Sequence, residues 1–164
     1  ILRVGVEKVI LNQAVLSNPS FVTEACKYFG SSTIVGAIDV KRDFWGKLWV
    51  YDHVKKKITN HDPVAYSKKL EMLGVGEIFI NDVDRDGTFK GHDIESIANI
   101  NRSISTPLIA CGGASDLNDI KNLIMEANVS GVAAGSLFVC QGPHRAVLVS
   151  YPSRKQIKDI LSNN

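Results

Sequence analysis

The hydrophobic positions of this chain fall into short continuous runs, each broken by a polar residue or a glycine. Residues 6–12 end on Asn12, and 33–40 carry Ile34-Val35-Gly36-Ala37-Ile38 up to Asp39. The stretch 76–88 passes from Ile78-Phe79-Ile80 into Asn81-Asp82, 106–114 reaches Cys111-Gly112-Gly113, and 130–138 reaches Gly135-Ser136. Apolar runs of this length predict strands buried on both faces, as in a parallel sheet. Between them the apolar spacing changes to that of helices. Phe21, Val22, Ala25 and Phe29 predict a helix over 21–29, opened by Ser17-Asn18-Pro19 and stopped by Gly30. Asp62-Pro63 opens the next, with Val64, Leu70 and Leu73 as its stripe and Gly74 at its end. Helices over 93–104 and 116–126 follow, and Pro152-Ser153 caps a last one running to Leu161. One interruption stands out: Gly46-Lys47, between Phe44-Trp45 and Leu48-Trp49-Val50-Tyr51, predicts a small β-hairpin.

The polar strand ends Asn12, Asp39, Asn81, Cys111 and Gly135 recur about every 25 to 30 residues, with one longer gap that holds the hairpin. That period is the length of a strand–helix unit. The expected class is α/β, a single domain over 1–164 built as a parallel sheet or part of a (β/α)8 barrel. A closed barrel takes about 250 residues, so five units leave three strands unaccounted for. The chain also opens in mid-pattern without an initiator Met, which reads as a fragment.

Composition narrows the function classes. With 45% hydrophobic and 22% charged residues and a formal charge of +2, the chain has the make-up of an ordinary globular protein. That charge is too small to argue for nucleic acid or an anionic membrane, and no apolar run approaches a membrane span. Cys26, Cys111 and Cys140 are odd in number and widely spaced, and the histidines lack metal-ligand spacing. The expectation is a cytoplasmic protein with reduced thiols, no metal and no cofactor.

Candidate chemistry gathers where the apolar runs stop, because α/β folds carry their sites at the C-terminal ends of parallel strands. Asp39, at the rim of an apolar run, is the acid/base candidate; the plainer alternative pairs it with Lys41 or Arg42. Gly112-Gly113 and Gly135-Ser136 fit a phosphate, since glycines let backbone N–H groups approach it and a serine adds a donor. Alternatively these glycines only permit tight turns. Asp86 either meets substrate hydroxyls or caps its loop, and Asp84 with Arg85 reads as a loop ion pair. Lys8 and Glu77 lie at the opposite strand ends, either solvated or meeting across a barrel's bottom opening as a gate.

Five motifs then carry a family resemblance. Gly5-Val6-Glu7-Lys8-Val9-Ile10, Ala37-Ile38-Asp39-Val40-Lys41-Arg42, Asp84-Arg85-Asp86-Gly87-Thr88, Ile109-Ala110-Cys111-Gly112-Gly113-Ala114 and Gly135-Ser136-Leu137-Phe138 occur in order. Together they resemble the cyclase subunit of imidazole glycerol phosphate synthase, the HisF family, from its fourth strand onward. The resemblance implies a partial TIM barrel of about five βα units, fourth strand to eighth, with a hairpin insertion. It implies a glutaminase partner, whose ammonia enters the barrel bottom and reacts at the top with a bisphosphorylated ribulosyl–aminoimidazole carboxamide in histidine biosynthesis. On it Asp39 corresponds to a catalytic general acid/base and Asn12 to a residue at one phosphate. Gly87, Gly113, Gly135 and Ser136 correspond to the other phosphate site, with Asn81, Asp86, Cys111 and Gly112 completing the substrate wall. Lys8 and Glu77 correspond to members of an ammonia gate, and Glu7 to an acidic position facing the glutaminase. The family's other catalytic aspartate belongs to its first strand, so this chain alone is expected not to complete the reaction.

Three positions differ from the pattern: Asn81 replaces a threonine, while Asp82 and Cys111 replace serines. The tail from Gly142 through Pro143 and His144 to Pro152 looks more like a paralogous branch that supplies ammonia for amidating a surface-polysaccharide sugar. A third alternative is a non-catalytic partner that docks and activates a glutaminase. Whatever the acceptor, a five-strand sheet leaves edges and an apolar face exposed, so the fragment is expected to self-associate.

Overall fold

The computed structural model describes residues 2–142 and 145–162; Pro143 and His144 of the tail motif lie outside the described residues. In chain order it contains β1 (Val9–Leu11), α1 (Gln13–Ser17), α2 (Pro19–Phe29), β2 (Ile34–Arg42), β3 (Leu48–Asp52), β4 (Lys57–Ile58), α3 (Pro63–Leu73) and β5 (Glu77–Asp82). Then come α4 (Ile94–Arg102), β6 (Leu108–Cys111), α5 (Leu117–Ala127), β7 (Gly131–Ala133), α6 (Ser136–Val139), β8 (Cys140–Gln141), β9 (Ala146–Val147) and α7 (Arg154–Ser162).

Five strands pair in parallel in the order β1-β2-β5-β6-β7, each beside the next parallel strand in the chain. A doubly wound sheet reverses its strand order partway, whereas a barrel does not. The unreversed order, with helices between the strands, is that of a partial TIM barrel.

Sequence chemistry sets the element ends. Asn18 accepts the Phe21 amide and Asp62 the Ala65 amide, each followed by a proline in the first helical turn. Asp93 caps α4 through the Ser96 amide, and Asp116 caps α5 through the amides of Asn118 and Asp119. The core lies between the sheet and its helices, where Ile38, Ile78, Ile80 and Leu108 meet Val22, Leu70, Ile97 and Leu123. Each is almost fully buried and contributes about 1.5–3 kcal/mol of hydrophobic transfer energy. The opposite face of the sheet is less covered. Along β5, Ile78, Ile80 and Asp82 are buried, while Glu77, Phe79 and Asn81 on the other face are only partly so. On β1, Ile10 of that same face is exposed.

Several sequence expectations are corrected. The hairpin is formed by β2 with β3, so Phe44 and Trp45 lie in its turn rather than on a strand and are 93% and 87% exposed. Asp43 imposes this, because its carboxylate accepts the amides of Trp45 and Lys47 and the Trp49 indole N–H. β3 then pairs onward with β4, which no pattern announced. The strand expected over 130–138 stops at Ala133, and Ser136 begins a short helix. In α2, Val22, Ala25 and Cys26 face the core while Phe21 and Phe29 stay exposed. Finally, Asp84 and Arg85 do not pair with each other. Asp84 lies 3.6 Å from Lys41 and accepts the Arg42 amide, while Arg85 lies 3.6 Å from Asp82.

Candidate active site

Register determines which side chains share a surface. Asp39, Asn81, Cys111 and Ala133 are consecutive register partners across β2, β5, β6 and β7. Partners in a sheet project to the same face, so these four form one row at the C-terminal strand ends, on the face away from the helices. Asp39 is 9% exposed and has an amide at each oxygen: Asn12 Nδ2 donates to Oδ2 at 3.2 Å and Asn81 Nδ2 to Oδ1 at 3.1 Å. The clamp fixes the carboxylate plane. Neither Lys41 nor Arg42 pairs with Asp39; Lys41 goes to Asp84, and Arg42 forms an ion pair with Asp93.

Cys111 completes the row as a neutral thiol, because burial pushes its pKa up and the charges of Asp86 and Asp39 push it further. A thiol held neutral contacts a ligand without attacking it. Asp82, by contrast, points to the helix side and is 4% exposed. Burial raises its pKa, against the pull of the Asp84 amide and the Arg85 charge. Its carboxylate accepts the Asp84 amide, and its carbonyl accepts the amides of Arg85 and Asp86. Asp82 therefore ties down the turn that carries Asp86 and Gly87, and it is not part of the reactive row.

Asp86, Gly87, Gly112, Gly113, Ala133, Gly135 and Ser136 line a cleft beside that row. Packing requires two of these glycines. Gly112 and Gly113 have φ of +103° and +105°, and a Cβ would lie 2.6 Å from the Asp82 carbonyl oxygen and 2.2 Å from that of Gly91, respectively. Gly135 differs: its φ of −106° suits any residue, and a Cβ there would meet nothing within 4 Å. Nothing among the described residues asks for glycine at 135. Ser136 follows it, with its hydroxyl facing Gly87, where a Cβ would come within 3.4 Å.

At the other end of the same face, Lys8 hydrogen-bonds and ion-pairs with Glu77 across the start of β2. Glu77, Phe79 and Asn81 alternate along β5 and so form one column on that face. Four residues of strand separate Glu77 from Asn81, about 13 Å. Glu7 is exposed just below this end. Tyr51 went unnoticed in the sequence as a site residue. It is the antiparallel partner of Asp39 and shares its face, with the Lys41 ammonium 5.3 Å from its ring centroid. Only the hairpin register, which the sequence misplaced, reveals it.

Comparison with known proteins gives the family. The family model described as "Histidine biosynthesis protein" matches residues 1–142. A Pseudomonas aeruginosa protein named "Putative imidazole glycerol phosphate synthase subunit hisF2" is 45% identical over 152 residues, covering 93% of this chain and 61% of the relative. A Vibrio vulnificus protein with the corresponding name for hisF3 is 37% identical, covering 98% of this chain and 62% of the relative. "Imidazole glycerol phosphate synthase subunit HisF" of Alkaliphilus metalliredigens is 36% identical, covering 84% and 55%. The chain thus spans about three-fifths of the length of the relatives it matches best among these. With a single family model running through the clamp, the reactive row and the glycine cleft, the chain belongs to the histidine biosynthesis protein family.

Proposed function

We propose that this chain is the C-terminal part of a barrel of the imidazole glycerol phosphate synthase type, working in the cytoplasm with a glutaminase subunit. The barrel takes ammonia through its interior and adds it to a bisphosphorylated ribulosyl–aminoimidazole carboxamide. The observation that carries this reading is the single sheet face with the Lys8–Glu77 pair at one end and the doubly clamped Asp39 at the other. In this reading Lys8 and Glu77 gate the entrance, and Glu7 faces the glutaminase. Asp39 is the general acid/base, carrying protons between the incoming nitrogen and the departing oxygen. Gly87, Gly113, Gly135 and Ser136 hold one phosphate, supported by the unexplained opening at Gly135. Asn12 stands near the other phosphate, and Asp86, Cys111 and Gly112 line the substrate wall. The second aspartate of the chemistry comes from a strand outside this chain, so residues 1–164 alone are inactive.

A second reading keeps the ammonia route and changes the acceptor to a surface-polysaccharide sugar. Its support is the tail together with Asn81 and Cys111, which alter the reactive row itself. Asp82 lends it no weight, since that side chain lies on the helix side of the sheet. A third reading, a partner that only activates a glutaminase, leaves the clamp on Asp39 without a purpose.

The test is turnover of the ribulosyl substrate by the full-length protein with ammonium salts. Asp39→Asn is expected to lower kcat by about 10²–10⁴-fold, the usual weight of a general acid/base. Substrate binding without imidazole product in the wild type moves the assignment to the sugar acceptor. Undiminished pathway function in Asp39→Asn leaves the third reading standing.

A further inference from the structure

The geometry points to Asn81 as the residue that positions ammonia for its attack, a role that rests on the ammonia-using reading above. Three observations meet at this side chain. Asn81 Nδ2 donates to Asp39 Oδ1 at 3.1 Å. A carboxylate oxygen paired this way only accepts, so the amide cannot be turned round without setting two acceptors against each other. Asn81 Oδ1 is thereby directed away from Asp39, and it is buried with no hydrogen-bond partner among the described residues. Buried acceptors are normally paired, and an orphan calls for an explanation at the site. Asn81 also ends the column that begins at Glu77 and passes Phe79.

A buried acceptor above an apolar step selects a small neutral donor. Ammonia fits, with three N–H bonds to offer and one lone pair that must stay free. An N–H donated to Asn81 Oδ1 keeps that lone pair turned away from the amide and free for attack. Ammonium would have to shed its water to follow the same column, at much greater cost.

The chemistry then balances as ordinary carbonyl amination. The nitrogen lone pair bonds to the substrate's carbonyl carbon as the C=O π pair moves onto oxygen. A proton shed by nitrogen passes to Asp39 and on to that oxygen. A second such transfer releases the oxygen as water and leaves the imine. One side chain serves both partners here, because Asn81 Nδ2 holds the proton carrier while Oδ1 holds the nucleophile. A hydroxyl also donates and accepts at once, so threonine is the replacement expected to keep both contacts.

The test varies ammonium chloride at about pH 8.5 with the ribulosyl–aminoimidazole carboxamide as saturating acceptor, using the full-length protein without glutaminase. Asn81→Leu is expected to raise the KM for ammonium by roughly tenfold or more, the loss of a hydrogen bond. The KM for the acceptor should stay within about twofold. Asn81→Thr is expected to bring the ammonium KM back to within about threefold of wild type. Asn81→Ala replaces the leucine variant if that one fails to fold. An unchanged ammonium KM in the leucine or alanine variant, or ammonium and acceptor KM rising together, overturns the assignment. A wild type that gives no ammonium-dependent product from the ribulosyl substrate removes the histidine-pathway acceptor and overturns this inference with it, and that failure is visible before any variant is made.

Discussion

Gly135→Ala separates a glycine kept for a ligand from one kept for packing. The new methyl meets no protein atom within 4 Å, and φ of −106° carries no left-handed strain. Removing glycine's freedom from the unfolded chain stabilises by about 0.4–1 kcal/mol. Alanine is a poorer residue than glycine at a helix start by several tenths of a kcal/mol, so the two nearly cancel. The melting temperature should therefore stay within about 2 °C of wild type. Binding is expected to respond differently, because in the proposed phosphate site the methyl fills the open space beside Gly135. Losing one charge-assisted hydrogen bond of about 1.5–3 kcal/mol weakens phosphate binding roughly 10- to 150-fold. Gly113→Ala is the contrasting variant. Its Cβ would fall 2.2 Å from the Gly91 carbonyl oxygen at a φ of +105°. The expected loss is about 3 kcal/mol or more, roughly 6–12 °C in melting temperature. Thermal melting of the full-length protein, with and without inorganic phosphate, reads both quantities. Wild-type phosphate affinity in Gly135→Ala would refute the ligand argument; an unshifted melting temperature in Gly113→Ala would refute the packing argument.

Three further outcomes are expected. Glu77→Gln breaks a partly exposed ion pair with Lys8 and costs under about 1 kcal/mol of stability. It should nevertheless lower glutamine-dependent turnover while leaving ammonium-dependent turnover intact; equal loss in both assays contradicts the gate. Burial holds the His92 imidazole below its ordinary pKa, against the opposing pull of the Asp119 carboxylate. The unfolded chain therefore takes up that proton first, and stability should fall as pH drops below about 6.5 until folded His92 protonates too. His92→Phe should flatten that slope in melts between about pH 7.5 and 5.5, and an unaltered slope rules the histidine out. Residues 1–164 by themselves should self-associate through the edges of the sheet and the exposed apolar positions Ile10, Phe21 and Phe29. Sedimentation of a lone monomer at high concentration would count against that.

The parallel strands and their helices were readable because each apolar run ends on a polar residue or a glycine and helices α2 to α5 each start with a capping side chain. Asn18, Asp62, Asp93 and Asp116 act within three residues of themselves, and such signals survive translation into one dimension. What depends on distant partners did not. Gly46-Lys47 looked like a turn between equal aromatic arms, yet Asp43 draws the amides of 45 and 47 and the Trp49 indole to itself. That single carboxylate moved the hairpin, and with it Tyr51, to the side of Asp39. Phe21 and Phe29 fit a helical stripe, but they stay 46% and 43% exposed while Val22, Ala25 and Cys26 take the core. Asp82 read as a substitution inside the site; the alternation of β5 puts it behind the sheet, where it supports the turn instead. The proposed roles of Asp39 and the paired glycines came from their places at strand ends and those of Asn81 and Cys111 from the resemblance, and the register adds that Asp39, Asn81 and Cys111 share one row.

The β2–β5 ladder also bears on how this protein is free to vary. Its register runs unbroken from Val35 opposite Glu77 to Val40 opposite Asp82, with one side of β5 reading charge, ring and amide and the other reading only aliphatic core and anchor. Inserting or deleting a single residue in β5 would exchange the two sides, sending Glu77, Phe79 and Asn81 into the helix interface and Ile78 and Ile80 onto the opposite face. Such a lineage would lose the Lys8–Glu77 pair and the Asn81–Asp39 contact in one event. The turn at 43–47 sits outside that ladder, joined to it only through β2 and β3, and can lengthen or shorten without disturbing a register pair. Drift in chain length should therefore collect in the hairpin, leaving β5 to change by substitution alone.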